Sequence, residues 1–183
     1  MNTRTLGTLC IVGSLIAIVA GIRVSVSGAE PFDTVSIIAG ILWAVGGISG
    51  LVGMIRLNAV GSGTVSRALA FVPIIGFVLL VVLSVLQLAG MITAENAGFG
   101  VAWMVQMVGM VLVGILTISA KIWQGWRRFV PLFSIMLTPV SFGIGAATDN
   151  LVLAATIIYL AWIVLGYAVA TAEPVADLRP AHA

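Results

Sequence analysis

The sequence predicts an all-α fold, a polytopic membrane protein with a bundle of six transmembrane helices. Of its 183 residues, 61% are hydrophobic and only 8% are charged, whereas about a quarter of the residues of a soluble domain are charged. The mean hydropathy is +1.24. Six uncharged stretches are each close to the roughly 20 residues that cross a bilayer. This composition excludes a soluble enzyme, a nucleic-acid-binding protein, a disulfide scaffold and a disordered chain.

The uncharged stretches place the six helices at residues 6–22, 35–55, 68–92, 99–120, 129–147 and 151–171. The first lies between Arg4 and Arg23. It could also be read as a signal peptide, but the length of the apolar run and the presence of Arg23 argue against cleavage. Asp33 and Thr34 precede the second helix and Ser66 the third, and any of these side chains can cap the first free amides of a helix.

The last three helices leave little room for connecting segments. Helices 4 and 5 are joined by a short basic and aromatic loop, and Thr148, Asp149 or Asn150 can cap helix 6 across a tight turn. Pro139 removes a backbone hydrogen bond within helix 5, which predicts a kink. Residues 172–183 form a short polar tail, so the chain is expected to be a single membrane domain.

The distribution of charge predicts the orientation of the chain. Seven of the eight basic residues fall on one side of a six-helix arrangement: Arg4, Arg56, Arg67, Lys121, Arg127, Arg128 and Arg179. The other side carries Arg23 together with Glu30, Asp33, Glu95 and Asp149. Because cytoplasmic loops carry the excess of Lys and Arg, both termini are expected in the cytoplasm.

Several kinds of site are excluded because the chain lacks the residues that would form them. The chain has one histidine, His182, in the polar tail and one cysteine, Cys10, in the first span. These cannot form an internal disulfide, a thiolate metal cluster or a bis-histidine haem site. No ionisable residue lies deep in a span, and there is no phosphate-binding glycine motif. We therefore expect a protein that is not an enzyme, with no metal site and no cofactor.

Small residues recur on the first two helices. Gly13, Ala17 and Gly21 follow one another at four-residue spacing, and Gly46 and Gly50 do the same on helix 2. Such stripes let helix backbones approach closely in lipid. Helices 1 and 2 are expected to cross tightly, within the protein or against a partner. This favours a non-catalytic accessory subunit that packs with other membrane proteins or with itself.

The loop after helix 4 has the composition of a membrane interface. It combines basic and aromatic side chains: Lys121, Trp123, Trp126, Arg127 and Arg128. Such residues anchor spans at the headgroups of the lipid bilayer, and clustered basic residues can also recognise anionic lipids.

Four polar or amphipathic side chains are predicted at one depth, since a helix rises about 1.5 Å per residue. They are Trp43, Gln87, Gln106 and Tyr159, with Thr138 and Ser141 at a similar level. Gln87 and Gln106 are expected within reach of each other, where a hydrogen bond would fix helix register. Alternatively the layer lines a pocket for a neutral small molecule, open to the outside. That reading favours a small transporter or substrate-binding membrane subunit.

The segment KIWQGWRRFVPL, from Lys121 to Leu132, resembles a loop of small uncharacterised six-helix bacterial inner-membrane proteins, which carry a WxGWRRFxPL-like run. The resemblance implies a location in the bacterial cytoplasmic membrane. The architecture is also similar to that of the substrate-binding subunits of energy-coupling-factor transporters. Those proteins dock on a partner permease through small residues of helix 1, a role that would fall here to Ala17, Ala20 and Gly21. The ligand-site residues of that family are not found in this chain.

Overall fold

A computed structural model of the protein describes residues 1–30, 32–148 and 150–173. The predicted all-helical fold is confirmed for these residues. The helices are α1 (Thr3–Ser27), α2 (Thr34–Arg56), α3 (Thr64–Leu88), α4 (Ala97–Ala120), a short 3₁₀ helix (Gly125–Phe129), α5 (Val130–Thr148) and α6 (Leu151–Ala170). Within the described ranges, six helical segments are long and apolar enough to cross a membrane. The chain is a multi-pass integral membrane protein.

The helix ends follow capping chemistry, with two differences from the sequence prediction. Asp33 accepts a hydrogen bond from the amide of Ser36 at the start of α2, as predicted. Ser66 does not cap α3, which begins earlier, after Gly63 and without a side-chain cap. The predicted end of this helix at residue 92 was also wrong. The chain leaves α3 after Leu88 because Gly90 adopts a positive φ of 70°.

Two further caps lie at the start of α6 and at the end of α1. Of the three candidates before α6, Asn150 accepts the hydrogen bond, from the amide of Leu153. Asp149 lies outside the described residues. Helix α1 continues past Arg23 to Ser27 and ends at Gly28, whose φ of 64° is left-handed.

The six helices form a closed ring in chain order. Each helix packs against the next, and α6 packs against α1. Because the connections are short, neighbouring helices are antiparallel. One end of the ring, the basic face, carries Arg56, Arg67, Lys121, Arg127 and Arg128. The other end, the acidic face, carries Glu30, Asp33 and Glu95.

The predicted tight crossing of helices 1 and 2 is confirmed, and it forms within the protein. A Cβ placed on Gly13 would lie 2.5 Å from the carbonyl oxygen of Leu42, so these two backbones are in contact. From the other side of the crossing, a Cβ placed on Gly46 would lie 3.0 Å from the carbonyl oxygen of Leu9 in α1. Gly50 lies against the thiol of Cys10. Gly21 differs from the others, because it faces Val152 of α6 instead of α2.

Candidate ligand cavity

A cavity of about 470 Å³ lies inside the ring, in the half of the bundle nearer the acidic face. This volume is in the range of small-molecule sites, about 300–1,000 Å³. All six helices contribute to its wall, chiefly with alanine, glycine, aliphatic and aromatic side chains. The polar groups come from six residues: Ser36, Trp43, Ser84, Gln87, Trp103 and Tyr159. Among the described residues that line it, none is acidic or basic.

Five aromatic rings close the cavity toward the basic face, and we call them the aromatic floor: Trp43, Phe77, Trp103, Tyr159 and Trp162. Trp43 is at the centre, stacked on Trp103 at 5.6 Å between ring centroids and edge-on to Tyr159 at 5.3 Å. Phe77 and Trp162 pack behind it, 5.0 Å from each other. Edge-to-face and offset pairs at these distances are favourable, so the floor is a rigid surface.

The indole N–H of Trp43 is the unusual polar group of this floor. Trp43 is 4% exposed, and its Nε1 has no hydrogen-bond partner within residues 1–30, 32–148 and 150–173. An unpaired buried donor costs about 1–3 kcal/mol. This nitrogen is enclosed within the floor and has almost no surface exposed to the cavity. The arrangement can hold an apolar body against the rings, and the polar side chains of Ser84, Gln87 and Tyr159 in the wall can orient it.

The structure brings three of the four predicted layer residues together. Trp43, Gln87 and Tyr159 line the cavity, but Gln106 does not. Gln106 is 2% exposed and packs against Gly76. A Cβ placed on Gly76 would lie 2.6 Å from the backbone nitrogen of Gln106. Its Oε1 has no partner in the described part of the chain. The predicted hydrogen bond between Gln87 and Gln106 is therefore not made through this oxygen.

The two hydroxyl residues predicted at this depth also lie away from the cavity wall. Thr138 is buried beside Gln106 and Trp162, and Ser141 donates a 2.7 Å hydrogen bond to the carbonyl oxygen of Thr138. They fill the interior between α4, α5 and α6.

Sequence reasoning missed most of the aromatic floor. Phe77, Trp103 and Trp162 were not singled out, although Trp103 lies one turn before Gln106 on the same helix. The clustering of aromatic residues at one depth on four helices was a usable signal, because aromatic rings prefer to pack against one another.

An ion pair joins α1 and α2 at the acidic face. Arg23 donates to the carboxylate of Asp33, and the flanking residues Val24 and Phe32 line the cavity. The Arg23 guanidinium, followed by the amide of Ser36, lowers the pKa of Asp33 from 3.8 to about 2. This pair holds the ends of α1 and α2 together beside the part of the cavity wall that Val24 and Phe32 form.

The predicted interfacial cluster is divided by the structure. Trp126 is exposed at the basic face and stacks on Tyr167, with ring centroids 6.3 Å apart. Lys121 is exposed at the end of α4. Trp123 is only 5% exposed and belongs to the core, so its prediction as an interfacial side chain was wrong.

The two arginines of this cluster contact the protein. Arg127 donates 3.1 Å hydrogen bonds to the carbonyl and the hydroxyl oxygens of Thr171. It thereby satisfies the C-terminal end of α6, where free carbonyls favour a cation. Arg128 lies over the ring of Phe129, 4.6 Å from its centroid.

The small residues of α1 that a docking role would use face inward. Ala17, Ala20 and Gly21 line the cavity, and both alanines are buried. They are not on the surface that a partner permease would meet. Comparison of the chain with known protein families, with characterised proteins and with solved structures finds no match.

Proposed function

We propose that this membrane protein binds a neutral, largely apolar small molecule in its cavity, without catalysis. It would act as a small transporter or as a substrate-binding membrane subunit. One observation carries the proposal: a cavity of about 470 Å³, walled by all six helices, is apolar apart from a few polar side chains, among them Gln87 and Tyr159.

The absence of charge in the cavity wall supports a neutral ligand. None of the described lining residues is Asp, Glu, Lys or Arg. An ion taken out of water pays a desolvation cost of several kcal/mol unless a counter-charge is present. A neutral molecule with an oxygen acceptor pays much less and can accept a hydrogen bond from Gln87 or Tyr159.

The glycines of α1 and α2 do not favour an accessory subunit over a ligand-binding protein. That hypothesis expects a small-residue face that is exposed until a partner covers it. Instead, Gly13, Gly46 and Gly50 are buried in the crossing of α1 and α2. A partner protein or a second copy of the chain would have to bind the larger aliphatic side chains that face the lipid bilayer.

We also propose that the basic face is cytoplasmic, in the inner membrane of a bacterium. The excess of Arg and Lys at this face supports the orientation. Both termini would then be cytoplasmic, and the cavity would be nearer the external side of the membrane.

The test is a binding measurement with a cavity-filling variant. Gly40 lines the cavity, and no described atom lies within 4 Å of a Cβ placed on it. Gly40→Leu would therefore occupy the cavity without a backbone clash. The probe is prodan, a neutral dye that joins a naphthalene ring to a ketone, and the signal is energy transfer from the tryptophans in nanodiscs.

We expect saturable binding of prodan to the wild type and a loss of it in Gly40→Leu. Val45→Leu is the matched control, because Val45 lies on the same helix and is exposed to lipid. Equal binding by the wild type and Gly40→Leu would refute the proposal.

A further inference from the structure

Helices α4 and α5 touch in the half of the bundle nearer the basic face. A Cβ placed on Gly114 of α4 would lie 2.8 Å from the Cβ of Leu132 on α5. At this level the two backbones are as close as the small residue allows.

The same two helix faces are apart nearer the acidic face. On α4, Gly100 precedes Gly114 by about four helical turns, and on α5, Gly143 follows Leu132 by about three. Each glycine therefore points within about 40° of the direction in which its own helix makes the contact. No described atom lies within 4 Å of a Cβ placed on Gly100 or on Gly143. Both glycines are exposed, and α4 and α5 are the most sparsely packed neighbours in the ring, so the two helices diverge toward the acidic face. We call the gap between them the α4–α5 seam.

Exposure along α5 shows that the seam reaches the cavity. Ile135 and Phe142 are seven residues apart and thus lie on one face of the helix. Ile135 is 5% exposed, but Phe142 is 51% exposed and lines the cavity. The ring of helices is closed around α5 at Ile135 and is open at Phe142.

The opening lies at the depth of the acyl chains. Phe142 is six residues from the end of α5, or about 9 Å at 1.5 Å per residue. The hydrocarbon core is about 30 Å thick, so a gap at this depth faces lipid and not water. Phe99 and Trp103 of α4 line the cavity at the other side of the seam.

We infer that the α4–α5 seam is a lateral entrance and that the ligand is a neutral molecule dissolved in the leaflet at the acidic face. This inference rests on the proposed function and names its ligand class. The apolar wall suits a hydrocarbon body, and Gln87 and Tyr159 can donate hydrogen bonds to a carbonyl or hydroxyl oxygen on it. A charged headgroup would find no counter-ion among the described lining residues.

The experiment uses the full chain in phosphatidylcholine vesicles whose acyl chains are brominated in their upper half. Bromine quenches tryptophan emission on contact, and iodide in the external buffer reports access from water. The Trp126→Phe background removes the exposed tryptophan of the basic face. Gly143→Leu fills the seam, and Val140→Leu is the control, an exposed residue one turn away on α5.

We expect quenching by brominated lipid, and the loss of most of it in Gly143→Leu but not in Val140→Leu. Gly100→Leu, which fills the seam from α4, should act as Gly143→Leu does. Two results would overturn the lateral entrance but leave the proposed function standing, provided that prodan binds saturably. One is equal quenching by brominated lipid in all variants, and the other is stronger quenching by iodide than by brominated lipid. Absence of saturable prodan binding by the wild type would overturn both the lateral entrance and the proposed function.

Discussion

Adding one methyl group at the helix crossings should destabilise the protein by an amount set by the backbone distance. A Cβ on Gly13 would lie 2.5 Å from the carbonyl oxygen of Leu42, and one on Gly109 would lie 2.4 Å from the nitrogen of Pro73. Ordinary van der Waals contact begins at 3.4 Å. The backbones must therefore separate by nearly 1 Å, and such overpacking costs about 1–3 kcal/mol.

Gly40→Ala is the matched control, because the new methyl group meets no described atom within 4 Å. Each substitution also gains about 1 kcal/mol of helix propensity. The difference between Gly13→Ala and Gly40→Ala cancels this gain and isolates the clash. We expect Gly40→Ala to be neutral or stabilising, and Gly13→Ala to lie about 1–3 kcal/mol below it.

The assay is reversible unfolding in mixed micelles of increasing SDS content, followed by far-UV circular dichroism. The reasoning would be refuted if Gly13→Ala and Gly40→Ala differed by less than about 0.5 kcal/mol, the usual effect of a change at an unconstrained site. In that case α1 and α2 would not be in backbone contact.

Four further substitutions test the cavity and its surroundings. Tyr159→Phe removes a hydroxyl group from the cavity wall and should weaken prodan binding about 2–12-fold, the worth of one hydrogen bond. The affinity for a hydrocarbon dye should be nearly unchanged, and equal losses for both dyes would contradict the role of the hydroxyl group. Gln106→Leu should raise the free energy of unfolding by about 1 kcal/mol, because it removes an unpaired buried oxygen, and it should not change dye binding. Gln87→Leu, in the cavity wall, should weaken dye binding. Asp33→Asn keeps the helix cap but loses the ion pair with Arg23. Folding lowers the pKa of Asp33 from 3.8 to about 2. The difference in free energy of unfolding between the wild type and Asp33→Asn should therefore be complete above pH 3.8 and vanish as the pH falls through 2. A difference that does not depend on pH would contradict the ion pair.

The elements that follow from the bilayer were predictable from the sequence. The existence and approximate position of six membrane-spanning helices were predicted correctly, although some ends were not. Hydrocarbon thickness dictates their length, and every backbone group must be paired within the span. The tight approach of Gly13 and Gly46 followed from the same reasoning, since small residues are what permits backbone contact in lipid.

The facing direction of each side chain was not predictable. In a soluble helix, polar residues mark the outward face, but here both the lipid-facing and the inward faces are apolar. Trp43 and Gln106 were predicted in one layer, but the first lines the cavity and the second packs behind Gly76. The same ambiguity explains Trp123, whose basic neighbours indicated the interface but whose side chain lies in the core.

The divergence of α4 and α5 had no signal in the sequence. Gly114 and Gly143 are both glycines in apolar helices, but one contacts Leu132 and the other faces open space. Only the arrangement of the whole ring decides which glycine lies at a contact.

Intact-complex mass spectrometry tests the central claim most directly, on protein extracted gently from its native membrane. The account predicts that the chain carries one small neutral molecule, that this molecule is missing from Gly40→Leu, and that it is retained by Val45→Leu. A stoichiometric protein partner with no small molecule bound to the wild type would contradict the account. It would show instead that the protein is an accessory subunit of the partner.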